Sequence, residues 1–430
     1  MNPSLIERFS KLGVAPPRVL LPNNSVDLFK WAVIACDQHT SEPDYWEEVE
    51  ALVGSEPSTL HLVFPKVYLN FPGANERIQA IKENMAAYLE SGLLDEYAPG
   101  MILTVRDTPH VSERTGLMVA LDLDQYEYDP AARKLVRATE ETIVDRIPPR
   151  LRIREGAPME VPHVLVLIDD PEDELFGGMS RREMDRLYET QLMLGGGRVS
   201  GYQLTSSQHE HVASTFERLL ARAPGDHPFL FAVGDGNHSL ATAKTVWEQM
   251  KREGAEQGHA AQFALVEVVN LYDPGLRFEP IHRLAKIEGA SGPEIESWIH
   301  ELARKMGSSA RECSIDVVRT ELDNGDVIGY VSSTTSGVID LSERNELPVA
   351  TLQAALNHEQ GIVTDYIHGW DTSVQLGSRS GSVVLLLPDF DPHQLFPTVR
   401  KRGVLPRKAF SLGDAEEKRY YLEARRITGA

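Results

Sequence analysis

Six consecutive residues, Gly234-Asp235-Gly236-Asn237-His238-Ser239, put a carboxylate, an imidazole and a hydroxyl on one glycine-containing turn. Glycines let a backbone approach a ligand closely, and the first N–H groups of a helix lack intrahelical partners and favour an anion. That combination suits phosphate. Gly234, Gly236, Asn237 and Ser239 are candidates to cradle it, and Asp235 is a candidate to hold Mg2+. His238 adds a titratable ring that could contact a transferring group. The plainer alternative is that Asp235 caps the helix and His238 bonds locally, because Asp and Asn favour such turns for backbone reasons.

The turn needs a strand before it and a helix after it. Phe229 to Val233 is an apolar run of strand length, and from His238 to about Arg252 the chain is rich in Ala and Leu at helical spacing. Other polar groups fall at predicted junctions. Trp31 to Cys36 reads as a buried strand running into Asp37, and VPHVLVLI as a strand running into the pair Asp169-Asp170, of which Asp169 is a second candidate for the metal and a helix cap the simpler reading. A β meander, MILTVR, GLMVALDLDQYEY and KLVRAT, ends in a stretch holding Glu140, a candidate base, and Arg146, a candidate phosphate partner. His282 and Arg283 follow Pro280 in what reads as a turn, and they are further phosphate candidates; His368 lies in a later polar turn. The basic tail around Lys418-Arg419-Tyr420-Tyr421 could reach back over an anion.

Between these points the pattern predicts helices over Ser41 to Gly54, Glu76 to Leu94, Ser180 to Leu194, Gln208 to Arg222 and Val349 to Glu359. The triplet Gly195-Gly196-Gly197 is expected to end the third of these, and SIDVVRT is expected to be a strand. The expected architecture is α/β with α+β character and mixed sheets. It has an N-terminal lobe over 1–147 with the meander, a central lobe over 148–290 with the glycine turn, and a C-terminal α+β segment over 291–430 packing back.

The chain has 430 residues and a formal charge of 43 − 64 = −21, which opposes binding to nucleic acid or an anionic membrane. No apolar run approaches the length of a membrane span. Two distant cysteines, Cys36 and Cys313, give no disulfide framework or metal spacing, as expected of a cytoplasmic protein.

Taken together, WAVIACDQHTSEPDYWEEVE, RATEETIVDRIPPR, VLIDDPEDELF, LMLGGGRVSGY, VGDGNHSLATAK, EPIHR and LPRKAFSLGDAEEKRYYLEARRI resemble, nearly end to end, the bacterial and archaeal family called domain of unknown function 1015. The central motif is also similar to the Asp-Gly-His-His-Arg turn of the free-serine kinases in the ParB/sulfiredoxin superfamily, and this implies a strand-turn-helix core of that kind. Asp235, Gly236 and His238 match, Asn237 stands where that pattern has its first His, and Ser239 where it has Arg. The missing Arg removes a bidentate phosphate partner, so Arg146, Lys244 or Arg283 would have to replace it.

Three functions follow. The first is a phosphotransferase that uses ATP or ADP with Mg2+ on a small hydroxylated metabolite, serine being the example the resemblance implies. The second is a metal-dependent hydrolase such as a phosphatase, with Asp235, His238 and one of His282 or His368 as ligands. The third is a non-catalytic nucleotide-binding protein.

Overall fold

A computed structural model describes the chain except residues 1, 41, 70–72, 109, 143–146, 343–345, 360, 407 and 429–430. The chain forms two compact units: Met1–Leu276 with Val399–Gly403 and Asp414–Ala430, and Arg277–Thr398 with Val404–Gly413. The second is thus an insertion in the sequence of the first.

The first unit is built on a ten-stranded mixed sheet. Its strands are β1 Val14–Ala15, β2 Ile102–Asp107, β3 Arg114–Asp122, β4 Tyr126–Glu127, β5 Val136–Ala138, β6 Leu165–Ile168, β7 Asp185–Gln191, β8 Arg198–Gln203, β9 Phe231–Asp235 and β10 Phe263–Asn270. They lie in the order β7-β8-β2-β3-β10-β6-β9-β5-β4, with β1 paired to β3. Strands from before and after residue 148 alternate in this one sheet, so the meander and the strand of the glycine turn share a scaffold. β6, β9 and β10 are almost continuously apolar and buried, as central strands covered on both faces must be.

Four segments differ from the sequence expectation. KLVRAT does not continue an antiparallel meander: its strand β5 lies between β4 and β9 and runs parallel to both. Residues 185–191 form the edge strand β7, and Gly195-Gly196-Gly197 is the turn of a hairpin to β8. Gly197 has φ +80°, and a Cβ there would sit 2.0 Å from the Asp107 carbonyl oxygen, so no other residue fits. Trp31 to Cys36 is no sheet strand: a short helix, Leu28–Trp31, leads into extended chain whose partner is the C-terminal segment. The Ala35 N–H donates to the Arg419 carbonyl and the Tyr421 N–H to the Val33 carbonyl, both at 2.8 Å. Tyr420, Tyr421, Leu422, Ala424 and Ile427 then join Trp31 and Trp46 in one apolar core. In the second unit, Ile315–Leu322 is a helix that buries Val318 and Leu322, four residues apart on one face.

The second unit contains a seven-stranded antiparallel sheet with strand Phe278–Ile287 paired on both sides. Among the described residues no helix is long and apolar enough to cross a membrane.

Candidate functional site

β5 and β9 run parallel, with Val136, Arg137 and Ala138 opposite Phe231, Ala232 and Val233. Thr139 and Glu140 therefore leave the sheet at the same end as Gly234 and Asp235, on strands ~4.8 Å apart. Carboxyl ends of parallel strands are where α/β sheets place ligands. Helix Asn237–Arg252 starts here, with Gly236 as its N-cap and no side chain capping it.

Gly236 has φ +83°, and a Cβ would stand 3.0 Å from the Val164 side chain and 3.1 Å from its Cα. Gly236→Ala is expected to cost about 1–2 kcal/mol through the left-handed backbone alone, and more as Val164 is displaced. A urea midpoint equal to that of the wild type would contradict this.

The turn is fastened to β5 by Asn237 and Thr139. Asn237 Oδ1 accepts from the Thr139 N–H at 3.3 Å, its Nδ2 donates to Thr139 Oγ1 at 3.4 Å, and Thr139 Oγ1 donates to the Val233 carbonyl. The Asn237 amide is thereby spent on the scaffold, leaving its backbone as the part that can meet a ligand. Asp235 Oδ1 accepts from the Gly236 N–H at 2.8 Å, while Oδ2 lies 3.2 Å from Lys418 Nζ. Lys418 comes from the C-terminal tail, and it brings to the turn a positive charge that Ser239 does not supply.

Ser239 bonds to a different set of partners from Asp235. Its Oγ is 3.0 Å from His163 Nε2, and His163 Nδ1 is 2.9 Å from Tyr421 Oη. Tyr421 Oη donates to Cys36 Sγ at 3.1 Å and accepts from the Cys36 N–H at 3.1 Å. These four residues form part of the wall of a cavity of about 140 Å³, otherwise mostly apolar (Leu62, Phe64, Met85 and Leu265 among others), with Arg150 also on its lining. Burial and the neighbouring Asp37 push the Cys36 thiol up to about 11, so it stays protonated at neutral pH. Burial alone would raise the Asp37 carboxyl; His163, Arg150, the Gln38 amide and Lys418 hold it below its ordinary range.

Other expected residues lie elsewhere or serve other ends. β6 runs antiparallel to β9 with Leu165 opposite Asp235, so Asp169, four residues further on, is ~13 Å away along the sheet, too far to share one ion. Asp169 accepts from Tyr272 Oη at 2.7 Å, and the buried Asp170 caps helix Glu174–Gly177 through the N–H groups of Glu174 and Leu175. Lys244 is buried, donating to the Leu123 carbonyl at 3.0 Å and paired with Glu248 at 2.6 Å. His282 and Arg283 are in the middle of strand Phe278–Ile287 of the second unit, not in a turn. Arg283 is fully buried and donates to Gln353 and to the carbonyls of Ile281 and Lys408. His368 pairs with Ile281 in the same sheet. Arg146 lies outside the described residues. Among the described residues no group of three or more His, Cys, Asp or Glu is arranged to hold a metal.

His282 accepts the Leu387 N–H at 3.1 Å, and burial, with the charges of Arg283 and His368, drives its pKa down to about 4. The folded value lies below the unfolded 6.5, so stability is fully present above pH 6.5 and is lost as pH falls towards 4. The loss amounts to about 3 kcal/mol. Protection factors of the amides in residues 278–287, corrected for the intrinsic exchange rate at each pH, are expected to fall over that interval; in His282→Gln this pH dependence should be absent.

The family model described as "Protein of unknown function (DUF1015)" matches residues 14–365. The chain belongs to the DUF1015 family. No curated protein matches it. Solved structures similar to this DUF1015 chain include a free serine kinase mutant in complex with AMP, 11% identical, with 74% of this chain and 94% of that one covered at a TM-score of 0.39. A conserved hypothetical protein from Pyrococcus furiosus, 11% identical, covers 71% and 94% at 0.36. A C-terminally truncated SbnI from Staphylococcus aureus, 10% identical, covers 69% and 82% at 0.38.

Proposed function

We propose that this DUF1015 protein is a nucleotide-dependent phosphotransferase acting on a small hydroxylated metabolite. The observation that carries the reading is Lys418 Nζ at 3.2 Å from Asp235 on an uncapped, glycine-containing helix start. A backbone cradle, an ammonium and a carboxylate converge there, which is what positioning and charge neutralisation in phosphoryl transfer require. The backbones of Gly234 and Asn237 hold phosphate, the Gly236 N–H being given to Asp235, with Lys418 taking the part first sought in Arg146, Lys244 or Arg283, and His238 contacts the transferring group. Glu140, leaving β5 at the same sheet end, is the base for the acceptor hydroxyl.

Mg2+ takes only one or two protein carboxylates and otherwise keeps phosphate and water oxygens, so Asp235 alone fits it as the protein's donor. When bound, it would neutralise phosphate oxygens. The adjoining cavity of about 140 Å³ is close to the ~150 Å³ that accommodates a benzene-sized molecule, which suits a small acceptor.

Calorimetric titration with ATP and ADP, with and without Mg2+, followed by a product assay over a panel of hydroxylated metabolites, tests the reading. Binding of either nucleotide and phosphorylation of one acceptor is the expected result; no binding and no turnover would remove it.

A further inference from the structure

We propose that Ser239 is a nucleophile, activated by His163 and oriented through Tyr421, that takes up a phosphoryl group as a covalent intermediate. The proposal rests on the phosphotransferase reading for the phosphoryl donor, while the nucleophile itself stands on geometry alone.

Three observations carry it. The first is the use made of the hydroxyl. Thr242 and Thr245 of the same helix donate to carbonyls four residues back, those of His238 and Ala241 at 2.7 and 2.9 Å. Ser239 instead directs its Oγ at an imidazole nitrogen at 3.0 Å. The second is proton bookkeeping along the chain of bonds. Tyr421 Oη accepts the Cys36 N–H and sends its own proton to Cys36 Sγ, so the 2.9 Å bond to His163 has the ring as donor from Nδ1. That tautomer leaves Nε2 unprotonated and facing Ser239, the arrangement of nucleophile, base and orienting group that activates a hydroxyl. The third is the surroundings. Ser239, His163, Tyr421 and Arg150 all line the same cavity, so the hydroxyl, its base and a guanidinium face one enclosed space.

The step balances as follows. Ser239 Oγ attacks the terminal phosphorus, its proton passes to His163 Nε2, and the bond from that phosphorus to the bridging oxygen breaks, with the shortened nucleotide leaving on the electron pair. The acceptor hydroxyl then attacks the phosphoserine and gives its proton to Glu140, and His163 returns its proton to the departing Ser239 oxygen. Arg150 faces the charge that develops on the phosphoryl oxygens.

Diisopropyl fluorophosphate, a reagent for activated serine hydroxyls, probes the nucleophile without any nucleotide. One adduct is expected, located on Ser239 by peptide mass, absent in Ser239→Ala and formed about 10²–10⁴-fold more slowly in His163→Ala or His163→Gln. Tyr421→Phe, which keeps the ring and removes the orienting oxygen, is expected to slow labelling about tenfold in a protein that remains folded, with a lower thermal midpoint because the buried Cys36 N–H loses its acceptor. No adduct on Ser239 in the folded wild type, or a His163→Gln protein that labels at the wild-type rate, overturns the proposal. Acid quench after incubation with ATP and Mg2+ alone is expected to find phosphate on Ser239. A protein that binds ATP in the calorimeter yet never carries that phosphate overturns the covalent intermediate and leaves the phosphotransferase reading in place. Reaction of Ser239 with the fluorophosphate in a protein that binds no nucleotide supports the nucleophile and removes the phosphotransferase reading.

Discussion

On the proposed function, Lys418→Met is expected to weaken nucleotide affinity by about ten- to a hundredfold and to leave the fold intact. An ammonium that bonds to phosphate contributes about 1.5–3 kcal/mol, and each 1.4 kcal/mol is a factor of ten in affinity. Methionine keeps most of the stem, which matters because the Lys418 side chain is only 11% exposed. Its partner Asp235 is 33% exposed, so water takes over the carboxylate once the ammonium is gone, and little stability is lost. Asp235→Asn is expected to act in the opposite sense without Mg2+: the negative charge beside the phosphates disappears, and nucleotide binds at least as well as to the wild type. With Mg2+ present the same variant loses the gain that the metal gives. Titration of both variants with ADP in the presence and absence of metal checks this, and equal affinities for wild type and Lys418→Met would detach the lysine from the site.

Arg419→Met is the substitution expected to damage the fold most. Arg419 is paired with Glu267 at 2.5 Å and with Glu423, and all three are buried. Thr104 Oγ1 also donates to Glu267, at 2.6 Å. Removing the shared guanidinium leaves two buried carboxylates without their counter-charge, which costs about 3–5 kcal/mol. Burial would raise the Glu267 carboxyl, yet Arg419, Arg114 and the Thr104 hydroxyl bring it down to about 2. Its folded pKa is thus below the ordinary 4.5, so this contribution is present above pH 4.5 and disappears as pH falls towards 2. The deficit of Arg419→Met is therefore expected to be widest near neutral pH and to narrow over that interval. Urea midpoints at pH 7 and pH 3.5 measure it, and a deficit that stays constant between them would contradict the assignment.

The glycine turn was legible because everything that makes it is local: five apolar residues, a glycine that must adopt φ +83°, and a helical pattern directly after. The first hairpin of the expected meander was legible for the same reason, its two strands being joined by a turn signal, whereas KLVRAT leaves it to pair parallel with β4 and β9. Asp185–Gln191 was not, since one side chain, Tyr188, is buried along the whole strand, and its spacing suits a helix as well as an edge strand. Ile315–Leu322 misled through its β-branched residues, although Val318 and Leu322 lie one helical turn apart. The partners of the turn were out of reach for a different reason. Lys418 and Tyr421 are some 180 residues from Asp235 and Ser239, and His163 read as one more residue of a strand run. The signal that was available was the basic, tyrosine-rich tail itself, which reads as a strip waiting for an anion and proves to carry two of the groups that surround Asp235 and Ser239.

That tail has a consequence for how the protein comes into being. Residues 420–427 fill the core of a unit whose other strands end at Leu276, and everything between must be synthesised first. At ~5–20 residues per second the ribosome needs on the order of ten seconds to supply them, during which Trp31, Trp46 and the chain after them lack their partner. The nascent first unit therefore keeps this apolar surface uncovered until residues 420–427 arrive to bury it.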